Sequence, residues 1–465
     1  MDYDVIITSY AFVMAQHRKR VNFIQKIRKF QQNGTGLPPS RPNLSLFSEI
    51  FRWGNIKAPY LVLDEVNAIK NPRSLTFSAI EELRSLADTC VMLTGSPLDN
   101  TWQDLFAFLQ LLEGHNIRQK RKMLYLLGTP DTKRPGRFRP PTAQRFLRLI
   151  QIMNGFMVRR PDTTMDLPPL VEIPVTFTLD GTEAAASNAE YEKYKRALRS
   201  KALDNVHGAA SRGAKTSALP AEDSKGLQFL HLTRALQYAC HPQLVQIMRF
   251  ARIKHATGLH DDSAAADMLE DPAAIAEWTS WRETIRQDDN WMSSRVTAVI
   301  DSFNRRRDID PACSVIIFDE SVYFLDIIEI AFAAMYEPVS CLRYDGRQAP
   351  DKRDRILEEF KMAAGSKVLL MSRATGGLGL NITSANVVIL CSPWWKKEWE
   401  IQALKRVHRT GQERTVHLIT ISAVNCDAEL YKAKTRDRKH EFNSKVVSAI
   451  TRRDDEAPRV WDNFR

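Results

Sequence analysis

Residues 368–381 read Val-Leu-Leu-Met-Ser-Arg-Ala-Thr-Gly-Gly-Leu-Gly-Leu-Asn. Four apolar residues give way at Ser372 to a loop that holds Gly376, Gly377 and Gly379. A short apolar run bounded by turn residues reads as a strand buried on both faces. Glycine has no Cβ, so backbone N–H groups in such a loop can approach an anion closely, although the same residues also serve plain turn geometry. Working outward, similar runs stand at Ser314–Phe318, Cys341–Tyr344, Val387–Leu390 and Val416–Ile421, and far upstream at Tyr60–Leu63 and Val91–Leu93. The β-branched opening, Asp4 to Tyr10, reads as a further buried strand. Strands alternating with helical stretches of this kind predict a largely parallel α/β fold.

The chain has 465 residues, room for roughly two to four domains. With 44% hydrophobic and 26% charged residues it is not a disordered chain. No apolar run approaches the roughly 18 residues of a membrane-spanning helix. The opening MDYDVIITSY lacks a basic n-region, so no secretory signal is expected. Six cysteines lie far apart without a Cys-x-x-Cys pair, which excludes a sequence-readable zinc site or disulfide framework and fits a reducing compartment. Lys and Arg number 66 against 55 acidic residues, a net charge of +11 compatible with a polyanionic partner. Between Gly114 and Met292 the strand rhythm gives way to helical stretches (Glu190–Lys201, Leu227–Tyr238), basic and Pro-rich pieces, and two polar or Ala-rich patches that read as loops or insertions.

Asp64-Glu65 closes the apolar run Tyr60–Leu63, and carboxylates at the carboxyl end of a parallel strand sit where nucleotides bind. Such an Asp can hold Mg²⁺ against phosphates while a neighbouring Glu orients an attacking water. The pair by itself equally starts a loop or caps a helix. About thirty residues later, Leu93-Thr94-Gly95-Ser96-Pro97-Leu98-Asp99-Asn100 breaks a second strand into a tight turn of small hydroxyl residues. Downstream of the glycine loop stands Gln402-Ala403-Leu404-Lys405-Arg406-Val407-His408-Arg409-Thr410-Gly411-Gln412. Arg406 and Arg409, spaced i, i+3, share one face if the segment is helical, and two such guanidinium groups can serve as arginine fingers or form a solvated basic face.

These blocks, in this order, resemble the motifs of the Swi/Snf-type DNA-dependent ATPases of helicase superfamily two. DEVNAIKNP resembles motif II, LTGSPLDN motif III, SRATGGLGLNIT motif V and QALKRVHRTGQ motif VI. DYDVIITSY looks like motif Ib and VIIFDESVYFLDIIE like motif IV, while MVRRPDTTMDLPPL and LQYACHPQLV resemble segments linking the lobes. The resemblance spans Asp2 to about Ile421. It implies two RecA-like lobes, the first incomplete, with helical insertions between them, closing over ATP and gripping double-stranded DNA. The expected layout is a partial first lobe over 1–113, a helical, basic protrusion and linking region over 114–292, a second lobe over 293–430, and a charged helix and tail over 431–465.

The same resemblance implies that Asp64 binds Mg²⁺, that Glu65 activates water, and that Thr94 and Ser96 couple nucleotide state to the DNA path. Gly377 and Gly379 would shape the motif V loop, Arg406 and Arg409 would act as fingers, and Gln412 would lie near the nucleotide. Arg121 and Lys122 are candidate phosphate contacts, with a solvated charge run as the alternative reading, and nuclear residence follows from the family. The expected activity is translocation on duplex DNA, remodelling nucleosomes or displacing bound proteins; the alternative is a silent remnant that binds DNA or protein.

Several positions depart from the family pattern. A Walker A loop ending in GK[ST] is missing; Arg212-Gly213-Ala214-Lys215-Thr216 follows no predicted strand and reads as coincidence. Tight ATP binding by these residues alone is therefore not expected, and the first lobe should expose a strand edge and an apolar face. Asn67 stands where motif II usually has His, while Ser392 and Lys405 replace acidic residues. Trp394 is expected in the core.

Overall fold

A computed structural model describes residues 5–33, 37–44, 58–99, 101–132, 134, 136–159, 166–207, 223–247, 271–336, 339–376 and 379–451. The chain divides into two compact units, one of residues 1–161 with 441–465, the other of residues 162–440.

Unit 1 opens with helix α1 (Tyr10–Asn33), followed by β1 (Ala58–Leu63), α2 (Leu75–Arg84) and β2 (Ala87–Met92). The two strands pair in parallel, Leu61 opposite Cys90 and Leu63 opposite Met92. Alternation along β1 turns Leu61 and Leu63 towards a core with Val66, Ile69, Phe77, Ile80 and Phe108, and leaves Tyr60 and Val62 exposed at 66% and 58%. Ser74 caps α2 by accepting the Phe77 N–H at 3.1 Å. A second core gathers Trp102, α3 (Leu105–Leu111), α4 (Lys120–Leu127), a short hairpin of β3 (Thr129–Pro130) and β4 (Phe138–Arg139), and α5 (Ala143–Phe156). Gly128 is required at the head of that hairpin: a Cβ there would lie 2.8 Å from the Phe138 Cβ and 2.9 Å from the Trp102 ring.

The opening residues do not form the expected strand. Val5 to Ser9 lie outside any sheet, with Val5, Ile6 and Ile7 exposed: the segment runs directly into α1 at Tyr10 and pairs with neither edge of the two-stranded β1-β2 sheet. β-branching favours a strand only where the segment also pairs and packs against a neighbour.

Unit 2 begins with β5 (Leu170–Phe177), α6 (Gly181–His207), α7 (Asp223–Cys240), α8 (Pro272–Arg286) and α9 (Ser294–Ile309). There follow β6 (Ser314–Asp319), α10 (Val322–Met335), β7 (Ser340–Tyr344), α11 (Pro350–Met362), β8 (Lys367–Ser372) and the short α12 (Arg373–Gly376). β9 (Val387–Leu390), α13 (Lys397–Leu404), β10 (Val416–Ala423) and α14 (Asp427–Ile450), whose residues from Glu441 on belong to unit 1, complete the order. The six strands form one parallel sheet ordered β5-β10-β9-β6-β8-β7.

Every residue of β6, β8 and β9 is buried, as their unbroken apolar runs require of central parallel strands. Alternate residues serve opposite faces. Val315, Ile317, Val368 and Leu370 pack with α8, α9 and α10, while Ile316, Phe318, Leu369 and Met371 pack with α11, α13 and Trp394. Trp394 is in the core as expected, edge-on to Phe318 with ring centroids 6.1 Å apart. This parallel sheet with helices on both faces is the α/β architecture expected. β5 comes from the stretch read as mostly helical, yet it pairs along its whole length with β10.

Two buried groups of unit 2 titrate in opposite senses. His241, in the Cys-His-Pro segment, is 1% exposed, and burial pushes its imidazole down to about 4. Asp319, at the end of β6, is 2% exposed, and burial pushes its carboxyl up to about 6. The depressed His contributes stability that is present above its unfolded value near 6.5 and lost as pH falls towards 4. The raised Asp contributes stability that is present below about 4 and lost as pH rises through 6. Between pH 4 and 6 the two slopes oppose each other. Relative to wild type, Asp319→Asn should make stability rise with pH by about 1 kcal/mol per pH unit in that window, and His241→Asn should make it fall by as much. Urea midpoints taken across pH 4 to 6 measure this, and variant curves parallel to wild type would refute the assignment.

Candidate functional site

In unit 1 the chain turns sharply where β1 ends. Asp64 is exposed, and its Oδ1 accepts the Glu65 N–H at 3.0 Å. Glu65 sits at φ 46°, ψ 54°, a left-handed conformation that costs a non-glycine residue on the order of 1 kcal/mol or more. Neighbouring bonds hold it there: Leu93 N–H donates to Leu63 O at 2.8 Å, Val66 N–H to Leu93 O at 3.1 Å, and the Tyr10 hydroxyl to Asp64 O at 2.8 Å. Burial beside Asp64 pushes the Tyr10 phenol up to about 12, so it remains a donor across the physiological range.

The two expected motifs of this unit are fastened together. Asn67 Nδ2 donates to Thr94 Oγ1 at 2.9 Å and to Ser96 Oγ at 3.2 Å. Thr94 Oγ1 also accepts the Ser96 N–H at 3.2 Å. One turn further, Lys70 forms an ion pair with the buried Asp99. Asn67 and Lys70, three residues apart on the turn after Glu65, therefore hold the Thr94–Asp99 loop by a neutral and a charged contact. Thr94 and Ser96 point their hydroxyls into this fastening. The sequence marked Asn67 only as a departure; no periodicity announces its partners, which lie 27 and 29 residues away.

In unit 2 the glycine loop leaves β8 through Ser372, whose hydroxyl lies 2.7 Å from that of Thr375. Gly377 lies outside the described residues, as does the Arg212–Thr216 segment. Gly379 has φ +74° with open space where a Cβ would stand. Arg406 and Arg409 are not on a helix. α13 ends at Leu404, and the chain continues in tight turns, with Arg406 N–H donating to Ala403 O, Arg409 N–H to Val407 O and Gln412 N–H to Arg409 O.

Gln412 holds the turns that follow the helix. Its buried Nε2 reaches Ala385 O at 2.7 Å, Val407 O at 3.1 Å and Thr383 O at 3.2 Å, while its Oε1 accepts the N–H groups of Glu413 and Arg414. Gly411, at φ +96°, makes the turn that brings it there. Ile382 N–H donates to Arg406 O at 2.9 Å and Arg409 Nη1 to Leu380 O at 3.2 Å, so the glycine loop and the arginine loop form one body. Gln412 is thus spent on backbone, holding the arginines in place. His408 Nε2 meets Pro168 O at 2.8 Å, anchoring the arginine loop to the lead-in of β5.

Unit 1 thus carries a carboxylate pair at a strand end, and unit 2 a glycine loop joined to an arginine loop. Residues 296–411 match the helicase conserved C-terminal domain, and residues 1–244, just over half of the chain, match the SNF2-related domain. The chain belongs to the SNF2-related family.

Among curated relatives it is 25% identical over 388 residues to an uncharacterized ATP-dependent helicase of Mycoplasma pneumoniae, covering 83% of this chain and 30% of that protein. It is 26% identical over 378 residues to human TATA-binding protein-associated factor 172 (78% and 19% covered) and 24% identical over 573 aligned positions to the DNA repair protein rad5 of Neurospora crassa (99% and 43% covered). The chain thus spans less than half the length of each.

Proposed function

We propose that the chain is the larger part of a Swi/Snf-type motor that uses ATP to translocate on double-stranded DNA, remodelling nucleosomes or displacing bound proteins, and that it works in the nucleus. The observation that supports this best is the carboxylate pair directly after β1, on a turn that Asn67 and Lys70 fasten to the Thr94–Asp99 loop, within a chain of this family. In this reading residues 1–113 are a partial first lobe, 114–292 a helical, basic linking region, 293–430 the second lobe and 431–465 a charged helix and tail.

No cluster of three or more His, Cys, Asp or Glu side chains suited to caging a metal occurs among the described residues. Asp64 fits Mg²⁺ nonetheless, because Mg²⁺ keeps several waters and takes one or two carboxylates together with phosphate oxygens. Nucleotide-bound Mg²⁺ supplies charge neutralisation during phosphoryl transfer. Asp64 holds it, Glu65 orients the attacking water, and Thr94 and Ser96 pass the state of that site to the DNA path. Gly379, and by its place in the sequence Gly377, belong to the motif V loop, and Arg406 and Arg409 act as fingers, with Gln412 fixing their position. Arg121 and Lys122 are phosphate contacts for the duplex.

The test is hydrolysis of ATP by the native protein with and without duplex DNA. Duplex should stimulate turnover, and Glu65→Gln should lower it at least about 100-fold while leaving nucleotide affinity within a few-fold. Unchanged turnover in Glu65→Gln would sink the role given to Glu65. Absence of any hydrolysis alongside salt-sensitive duplex binding would favour the second reading, a binding module without turnover, which is consistent with the lack of a strand-borne GK[ST] loop in these residues.

A further inference from the structure

Unit 1 contains a groove of about 1010 Å³ that the motor chemistry does not use. One wall is the N-terminal half of α5, the other the last turns of α14, and Pro140 and Pro141 close one side. Its lining is mostly apolar, with Phe146 and Phe442 meeting edge-on at a centroid distance of 6.2 Å and Leu147 left 59% exposed on the α5 wall.

The segment that supplies the α5 wall is cationic: residues 114–160 hold twelve Lys and Arg against one acidic residue, Asp131. Arg148, next to Leu147, is exposed; Arg139, next to Pro140, is half-exposed beside Asp131; Lys445 lines the groove and pairs with Glu441.

We propose that this groove receives an acidic amphipathic helix from a partner protein. Two helical walls with an apolar floor are ordinarily covered by a third helix whose apolar residues recur at i, i+3 or i+4, and i+7. The basic rim selects carboxylates on the flanks of that helix, since complementary charge steers encounter and disfavours cationic competitors. Duplex DNA matches the rim but not the floor: phosphate and sugar gain nothing from Pro140, Pro141, Phe146 and Phe442. The site is independent of the motor reading, because none of its residues belongs to the nucleotide machinery.

The probe is a fluorescein-labelled 16-residue peptide with Leu on one helical face and Glu elsewhere, titrated by fluorescence anisotropy against the full chain. Leu147→Glu, at an exposed position that preserves the fold, should weaken binding at least about 10-fold, as should Ala449→Glu on the opposite wall. A peptide with Lys for Glu, and one with the same composition scrambled so that the Leu residues share no face, should each bind at least about 10-fold more weakly. Equal affinity for the scrambled peptide, or no effect of either variant, would overturn the proposal. Displacement of the peptide by a short duplex would reassign the groove to nucleic acid. A dimer dissolved by Leu147→Glu would reassign it to a second copy of the chain, and about tenfold tighter peptide binding after removal of residues 452–465 would reassign it to the chain's own tail.

Discussion

Replacing Arg295 by Ala should lower the stability of unit 2 by about 3–5 kcal/mol, seen as a lower urea midpoint and a fall in Tm on the order of 10 °C. Arg295 is fully buried on α9, and each part of its guanidinium is engaged. Nε donates to Ala239 O at 3.0 Å, Nη1 to Cys391 O at 2.7 Å, and Nη2 pairs with Glu429, while the plane lies 4.9 Å from the Phe177 ring centroid. One side chain thus joins the end of α7, the end of β9, α14 and β5. Its removal leaves the Glu429 carboxylate, 3% exposed, with the Ala423 N–H at 2.9 Å as its remaining close donor.

An uncompensated buried carboxylate, rather than the lost attraction, sets the size of this effect. The double variant Arg295→Met with Glu429→Leu should therefore recover most of the loss, because two apolar groups of similar volume need no partners. If the double variant is as unstable as the sum of the single ones, the burial argument fails.

Arg409→Ala in the native protein should lower DNA-stimulated turnover about 1,000-fold or more while changing nucleotide affinity little, because a finger acts chiefly on the charge that develops in the transition state. Arg409 also donates to Leu380 O, so a loss of loop order must be separated from a loss of chemistry. Gln412→Ala does so: it releases the carbonyls of Thr383, Ala385 and Val407 and leaves both arginines in the chain. If Gln412→Ala reproduces the whole effect of Arg409→Ala, Arg409 acts through positioning alone. If Arg409→Ala weakens nucleotide binding as much as turnover, the finger role is lost.

Much of this architecture was legible before any coordinates. The strands of unit 2 announce themselves because central parallel strands are apolar along their whole length, and β6, β8 and β9 contain little else. Asp64 and Glu65 stand out in the sequence because a carboxylate pair directly after such a run is a local pattern, and the structure places them at the turn that ends β1. What stayed hidden depends on contacts between distant residues. Val5 to Ile7 have the composition of a strand, but pairing is a property of two segments. Arg406 and Arg409 have helical spacing, yet α13 ends at Leu404 and both lie in turns that Gln412 ties to residues 383–385, contacts no local pattern announces. Arg295 gives no sign in sequence of being anything but a surface arginine, since its partners lie 56, 96 and 134 residues away.

The bonds of Gln412 have a consequence for how this protein can vary. A single amide ties the carbonyls of Thr383 and Ala385 to the turn at Val407, so the segment that follows the glycine loop and the arginine loop are mechanically coupled. Substitutions in the two loops will be epistatic, each change in one altering which changes the other tolerates, and effects measured singly will not add.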